Sequence, residues 1–192
     1  ASSKMTAMLV GLSLALVGVF ASQRAAAFSA DEPLPVTLIN GADAVGEPVA
    51  EKLRKILRNQ DELDYVDEQE LLNAGSAHGV TVETLRKGSM RSTHASEFRE
   101  TMRQADIESI LVLDVFAGKA QIVGIGPRGD EISDEREELT GDNLKTADAA
   151  SLLKASFDSI VPVWKAWKRG EDDPSSAAPQ ASNESGSSST KE

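Results

Sequence analysis

Residues 107–125 read IESILVLDVFAGKAQIVGI, and this stretch decides the fold. Ile110–Phe116 is apolar on both faces, a pattern that predicts a buried central strand. Ala117-Gly118-Lys119 then predicts a turn, and Ala120–Ile125 predicts a second strand that returns beside the first. The stretch therefore places a hairpin at the centre of the domain.

The chain before this hairpin alternates between strand and helix patterns. Val36–Ile39 is β-branched and predicts a first strand, and apolar residues at helical spacing predict a helix from about Pro48. Leu63–Val66 predicts a short strand, and Asp67 is placed to cap a short helix that ends at Gly75. From there to Thr93 the pattern is weak, with one helical turn predicted around 82–86.

The remaining elements complete an α/β pattern. A helix is predicted from about Thr93 into the central strand, and the acidic run 131–139 predicts an edge strand. A last helix is predicted from Thr146, with a kink or restart at Pro162. Residues 28–169 therefore predict one α/β domain, a sandwich built on a mixed sheet.

Both ends of the chain differ in composition from this domain. Met8–Ala21 is an apolar run that spans about 21 Å as a helix at ~1.5 Å per residue, shorter than a membrane core of ~30 Å. Small residues at Ala25-Ala26-Ala27 then predict a signal peptide over 1–27, cleaved after Ala27, and a periplasmic or secreted protein. Retention of this segment as a membrane anchor is the alternative. Residues 170–192 are rich in Ser and Pro and predict a disordered tail.

Charge and residue usage exclude several functions. The formal net charge is −11, which repels nucleic acid, and the chain has no cysteine. Only His78 and His94 could add nitrogen ligands to a metal site, and they lack the spacing of a metal motif. We therefore expect no metal, no cofactor and no nucleic-acid partner.

No catalytic motif is supported by its neighbours. Asp114 is a carboxylate in an apolar strand, which leaves open a small hydrolase or transferase with Asp114 as acid or base. The loop Gly41–Gly46 has phosphate-loop spacing, but Glu47 and Pro48 follow where lysine and a hydroxyl residue are needed. Arg128-Gly129-Asp130 predicts a turn. We expect no enzyme.

Trp164 and Trp167 are the candidate partner-binding residues. They lie three residues apart in the last helix, which either buries both against the sheet or presents them to a partner.

Two segments carry a resemblance to a known family. In residues 65–72 (YVDEQELL), the end of a short strand is followed by an acid, polar residues and two leucines. In residues 102–113 (MRQADIESILVL), a helix leads directly into a strand. Together with the order of elements, they resemble the amino-terminal domain of TolB and its relatives, the LpoB and CsgG periplasmic domains. The resemblance covers about 36–168 and lacks the lipid-bearing cysteine and the β-propeller of those proteins.

This resemblance implies binding rather than catalysis. Members of the family contact other envelope proteins or assemble with themselves, and they have no active-site residues to carry over. We therefore expect a non-catalytic periplasmic protein-interaction module of a bacterial cell-envelope assembly, with envelope proteins or a second copy as partners. The Asp114 enzyme and a membrane-tethered structural spacer are the alternatives.

Overall fold

The computed structural model describes residues 32–170, with the side chain of Ser89 left out. The predicted signal peptide over 1–27 and the predicted tail beyond Gly170 lie outside these residues. The strands are β1 (Leu34–Asn40), β2 (Leu63–Tyr65), β3 (Ser109–Phe116), β4 (Lys119–Ile125) and β5 (Glu131–Glu138). The helices are α1 (Asp43–Leu57), α2 (Glu68–Ser76), α3 (Val82–Arg86), α4 (Gly88–Thr93), α5 (Ala95–Gln104) and α6 (Thr146–Lys168).

The strands form one mixed sheet in the order β2-β1-β3-β4-β5. β1 pairs in parallel with both β2 and β3, and β3, β4 and β5 follow one another in antiparallel pairs. The predicted hairpin is therefore β3–β4, and it lies at the centre of the sheet. The acidic strand β5 lies at one edge, as its composition predicts.

Helices cover both faces of the sheet, which is what an α/β domain with an apolar central strand requires. On one face, α1 and α6 pack against each other and against β1, β4 and β5. On the other face, α2, α3 and α5 enclose a core with alternate residues of the strands, among them Ile110 and Val112 of β3. None of the described helices combines the length and the apolar composition needed to cross a membrane.

Helix α1 begins earlier than the sequence predicts. It starts at Asp43, so that Pro48 lies inside the helix rather than in the predicted first turn. The Asn40 side chain accepts a hydrogen bond from the Ala42 N–H at 3.1 Å and donates to the Asp43 carbonyl at 2.7 Å. These two bonds hold a tight strand-to-helix turn in which Asp43 has a φ of 51°. An asparagine side chain thus starts this helix, without an apolar signal in the sequence.

Two further expectations about helices are corrected. The weak segment before α5 contains the predicted turn α3 and also α4, which its small polar residues do not indicate. The last helix does not restart at Pro162 but continues to Lys168 with the proline inside it. Pro162 is exposed, and so is Asp158, whose carbonyl it leaves without an N–H partner. Water can satisfy that carbonyl.

Candidate functional site

A cleft of about 560 Å³ opens between α5, the turn from β4 to β5 and the last turn of α6. Trp167, Pro127 and Arg128 separate it from a smaller depression that continues towards Ile132 and Val163. The lining of the larger cleft combines apolar and charged side chains: Arg99, Met102, Arg103, Asp106, Ile107, Glu108, Pro127, Arg128 and Trp167.

The two candidate tryptophans have different environments. Trp164 is 3% exposed, and its indole N–H donates to the Glu108 carboxylate, so it belongs to the core. Trp167 is only partly buried and contributes to the walls of both depressions. Of the two, Trp167 is therefore the side chain that a partner can reach.

Two arginines of the cleft have no ion pair within the described residues. Arg99 donates only its Nε, to the Ala95 carbonyl at 3.2 Å, and Arg128 has no hydrogen bond or ion pair there. Arg103, in contrast, pairs with Glu100, and these hydrogen bonds lower the pKa of the Glu100 carboxyl to about 2. The charge of Arg103 is thus matched, while Arg99 and Arg128 keep free guanidinium groups.

The remaining charged groups of the cleft are Glu108 and Asp106. Glu108 accepts the Trp164 N–H and pairs with Lys168 at 2.7 Å, so its charge is matched as well. Lys168 also lies 5.6 Å from the ring centre of Trp167, within the range of a cation–π contact. Asp106 is exposed, and its side chain has no hydrogen bond or ion pair among residues 32–170.

Asp106 is in an unfavourable backbone position. It has a φ of 55°, and it follows α5 where the Ile107 N–H bonds to the Met102 carbonyl at 2.9 Å and the Asp106 N–H to the Arg103 carbonyl at 3.4 Å. This is a Schellman motif, in which the left-handed residue is usually glycine. A carboxylate beside the negative end of the α5 dipole adds a second cost. Asp106 is therefore an unfavourable residue for its backbone position, and it lies in the wall of the cleft, where functional constraints are expected.

We predict that Asp106→Gly raises the free energy of unfolding by about 0.5–1 kcal/mol, because it removes the left-handed strain and the charge. Asp106→Asn should give a smaller gain in the free energy of unfolding, because it removes the negative charge and leaves a side chain in the left-handed region. Urea unfolding followed by circular dichroism measures both values. A loss of stability in Asp106→Gly would show that the carboxylate has a structural partner.

The predicted acid, Asp114, lies near the carboxyl end of the central strand β3, at the end of the strand away from Glu108 and the cleft, and is not buried. Its side chain is 24% exposed and forms a two-pronged ion pair with Arg86, at 2.8 Å to Nε and 3.0 Å to Nη2. It also accepts the Val115 N–H at 2.8 Å. The strand places Asp114 near its end, and Arg86 comes from α3, so both oxygens of the carboxylate are already bound.

The segment Gly41–Gly46, which has phosphate-loop spacing, lies at the same end of the strands as Asp114, and its last four residues belong to α1. Glu47 accepts hydrogen bonds from Arg54 at 2.7 Å and from Asn40 at 2.9 Å, and these hold its pKa below the ordinary value. Arg54 also reaches Glu68 on α2 at 2.8 Å. A carboxylate thus occupies the space next to the first turn of α1, where a phosphate group would need donors. The polar side chains at this end of the strands therefore form hydrogen bonds and ion pairs with one another.

The other candidate residues do not form a site. The weak pattern of the segment 75–94 predicts that His78 and His94 face solvent. His94 is exposed, but His78 is half-buried, and its Nε2 is shielded and lacks a partner among the described residues. Arg128-Gly129-Asp130 forms the predicted turn, closed by a 2.9 Å bond from the Gly126 N–H to the Asp130 carbonyl. Within residues 32–170 no three metal-ligating side chains lie together.

Sequence reasoning finds Trp167 but misses Arg99 and Arg128. The three come from α6, α5 and the β4–β5 turn, and only the packing of the turn on α5 brings them to one place. A Cβ on Gly129 would lie 3.3 Å from the Phe98 ring and 3.6 Å from the Arg99 side chain, which shows how closely that turn lies on the helix. The one sequence feature that could have pointed to Arg99 and Arg128 is that arginines are candidates for binding acidic partners in a chain with an acidic net charge.

Comparison with known proteins gives no relative for this chain. No family model, no curated protein and no solved structure matches it.

Proposed function

We propose that residues 28–169 form a non-catalytic periplasmic protein-interaction module of a bacterial cell-envelope assembly, with a TolB-amino-terminal-like fold. The Trp167 cleft is its contact surface. The observation that carries this proposal is a partly exposed tryptophan between two depressions, next to two arginines without ion pairs. Tryptophan and arginine are the residues that most often dominate binding energy at protein interfaces.

The contacts of Asp114 near the end of β3 support binding over catalysis. Asp114, the residue on which the enzyme alternative depends, has both carboxylate oxygens engaged by Arg86 and the backbone. A general base exchanges a proton with its substrate, whereas the Asp114 carboxylate is held by three hydrogen bonds from its own chain. The cleft instead offers Trp167 with Arg99 and Arg128, two arginines without an ion pair within residues 32–170, and these groups suit a partner protein with acidic and apolar side chains.

We predict that Trp167→Ala weakens binding to an envelope partner by at least about 30-fold, because truncating a central tryptophan typically costs ~2 kcal/mol or more. The first step is a crosslinking pull-down from envelope extract with the mature chain as bait. The second is a measurement of Kd with the purified partner by calorimetry. Trp164 is unsuitable for this test, since its burial makes Trp164→Ala a change to the core.

Phe116→Ala is the matched control for this experiment. Phe116 is 73% exposed at the end of β3, so its removal takes away an aromatic side chain at the end of the strand away from the cleft. We expect this variant to bind like the wild type. Equal losses in both variants, or no loss with Trp167→Ala, would reject the cleft as the contact surface, and recovery of no specific partner would reject the module itself.

A further inference from the structure

The free guanidinium groups of Arg99 and Arg128 define what the cleft can bind. Both line the same space as Trp167, where Asp106 is the one acid without a partner among residues 32–170, since Glu108 pairs with Lys168 and Arg103 pairs with Glu100. Guanidinium groups bind carboxylates through paired N–H donors. Two unmatched arginines against one unmatched acid leave the cleft with an excess of positive charge in a chain whose net charge is −11, and this excess favours an acidic ligand.

The chain itself supplies such a ligand next to the cleft. Helix α6 ends at Lys168, one residue after Trp167, and the Gly170 N–H bonds to the Trp167 carbonyl at 3.0 Å. Gly170 has a φ of 70°, the left-handed value that ends a helix and turns the chain away from its axis. The sequence continues with three consecutive acids, Glu171-Asp172-Asp173.

We infer that Arg99 and Arg128 form a carboxylate-binding site and that its occupant is the acidic segment Glu171–Asp173 of the same chain. Three residues reach about 10 Å at ~3.4 Å each, and Trp167 lies only ~5 Å along the helix axis from Gly170. The three acids also follow the negative end of the α6 dipole, so opposite charge nearby relieves a repulsion that they otherwise carry.

The carboxylate-binding site lies in the Trp167 cleft, so it controls access to the surface that we propose for the partner. The binding of the acidic segment itself needs only the cleft and no partner. With the acidic segment bound, a partner must displace it, and its apparent affinity falls by the fraction of molecules that are open. The segment thus acts as a competitor that every molecule has at a high effective concentration.

The test compares the full mature chain with a variant in which the three acids are neutral, Glu171→Gln, Asp172→Asn and Asp173→Asn. Arginine-specific dicarbonyl labelling, followed by mass spectrometry, measures the reaction rate of each arginine. We expect Arg99 and Arg128 to react at least about 3-fold faster in the neutral variant, because a bound carboxylate shields the guanidinium. The exposed Arg58, at the end of α1, is the internal reference.

A second variant controls for the change in net charge. Glu51→Gln, Asp61→Asn and Glu62→Gln remove three exposed acids whose side chains have no hydrogen bond or ion pair among residues 32–170. We expect this variant to keep the slow rates of Arg99 and Arg128. Equal rates in all three proteins would overturn the inference, and so would protection that disappears on dilution, since it would come from a second copy.

The result is independent of the partner experiment. Unprotected arginines together with a partner lost in Trp167→Ala would reject the acidic occupant and leave the module standing. Slow labelling of Arg99 and Arg128 without recovery of any envelope partner would reject the module and support the acidic occupant. When both hold, neutralising Glu171–Asp173 should raise partner affinity by the same factor as it raises the labelling rates.

Discussion

Gly124→Val is expected to lower the free energy of unfolding by about 3 kcal/mol, the upper part of the range for forced overpacking of a core. Gly124 lies on β4 beneath α6 and has no room for a side chain. A Cβ built there would lie 2.2 Å from the Ser133 Oγ and 2.7 Å from the Ile160 Cδ1. Ile160 is fully buried on α6, so the helix has to move away from the sheet to admit the new side chain.

Urea unfolding measures this effect, and an unchanged dependence on urea concentration shows that the two-state reference still applies. The matched change is Gly124→Ala with and without Ser133→Ala. The Ser133 hydroxyl is buried and has no hydrogen-bond partner in the part of the chain that the structure describes, so Ser133→Ala alone should be neutral or stabilising. It should also reduce the cost of Gly124→Ala. Additive effects of the two changes would mean that the close approach is not real.

This contact also shows why the sequence predicts the strands better than their packing. The apolar runs of β3 and β4 follow from local composition, and they alone identify the centre of the sheet. The glycine in β4 gives no sign of which helix covers it. That information depends on α6, which begins more than 20 residues later, and on how its buried side chains meet the strand.

The errors in the helices have a common physical cause. The first turn of α1 is held by the Asn40 side chain, and α4 is held by a buried arginine, Arg91. Neither interaction leaves an apolar period in the sequence, because one polar side chain replaces a row of hydrophobic contacts. Asp67 is the opposite case, since its carboxylate caps α2 through the Gln69 N–H at 3.0 Å, as predicted.

The candidate site was predictable only in its tryptophan. Trp167 is conspicuous in a chain with two tryptophans, but a helix pattern does not separate it from Trp164. The difference arises because Trp164 meets Glu108 at the start of β3, while Trp167 lies at the rim. Partners as distant in sequence as these are set by the tertiary fold, as is the pairing of Asp114 with Arg86.

Arg91 carries the second large effect that we predict, and its variants separate geometry from charge. The residue is only 5% exposed. Its Nη1 donates to the carbonyls of Leu85 at 2.5 Å and Arg86 at 3.1 Å, and its Nη2 donates to the Glu131 carboxylate. One guanidinium thus satisfies the carbonyls that end α3 and ties them to the first residue of β5.

We expect Arg91→Met to lower the free energy of unfolding by about 2–3 kcal/mol, because it leaves two carbonyls and a carboxylate without their donor. Arg91→Lys should recover less than half of that loss, since a single ammonium group cannot span both carbonyls and the acid. Urea unfolding of each variant gives these values. Arg58→Met is the control: Arg58 is exposed and lies 5.0 Å from the centre of the Tyr65 ring, so losing this cation–π contact should lower stability by no more than about 1 kcal/mol.

Glu131→Gln identifies which part of the Arg91 contact matters. The Glu131 side chain is 46% exposed, so water can replace the arginine at that end, and the expected cost is below about 1 kcal/mol. A small effect of Glu131→Gln beside a large effect of Arg91→Met therefore means that Arg91 acts mainly as a cap on α3. If Arg91→Lys were as stable as the wild type, charge alone would suffice, and the paired bonds to the carbonyls would contribute nothing measurable.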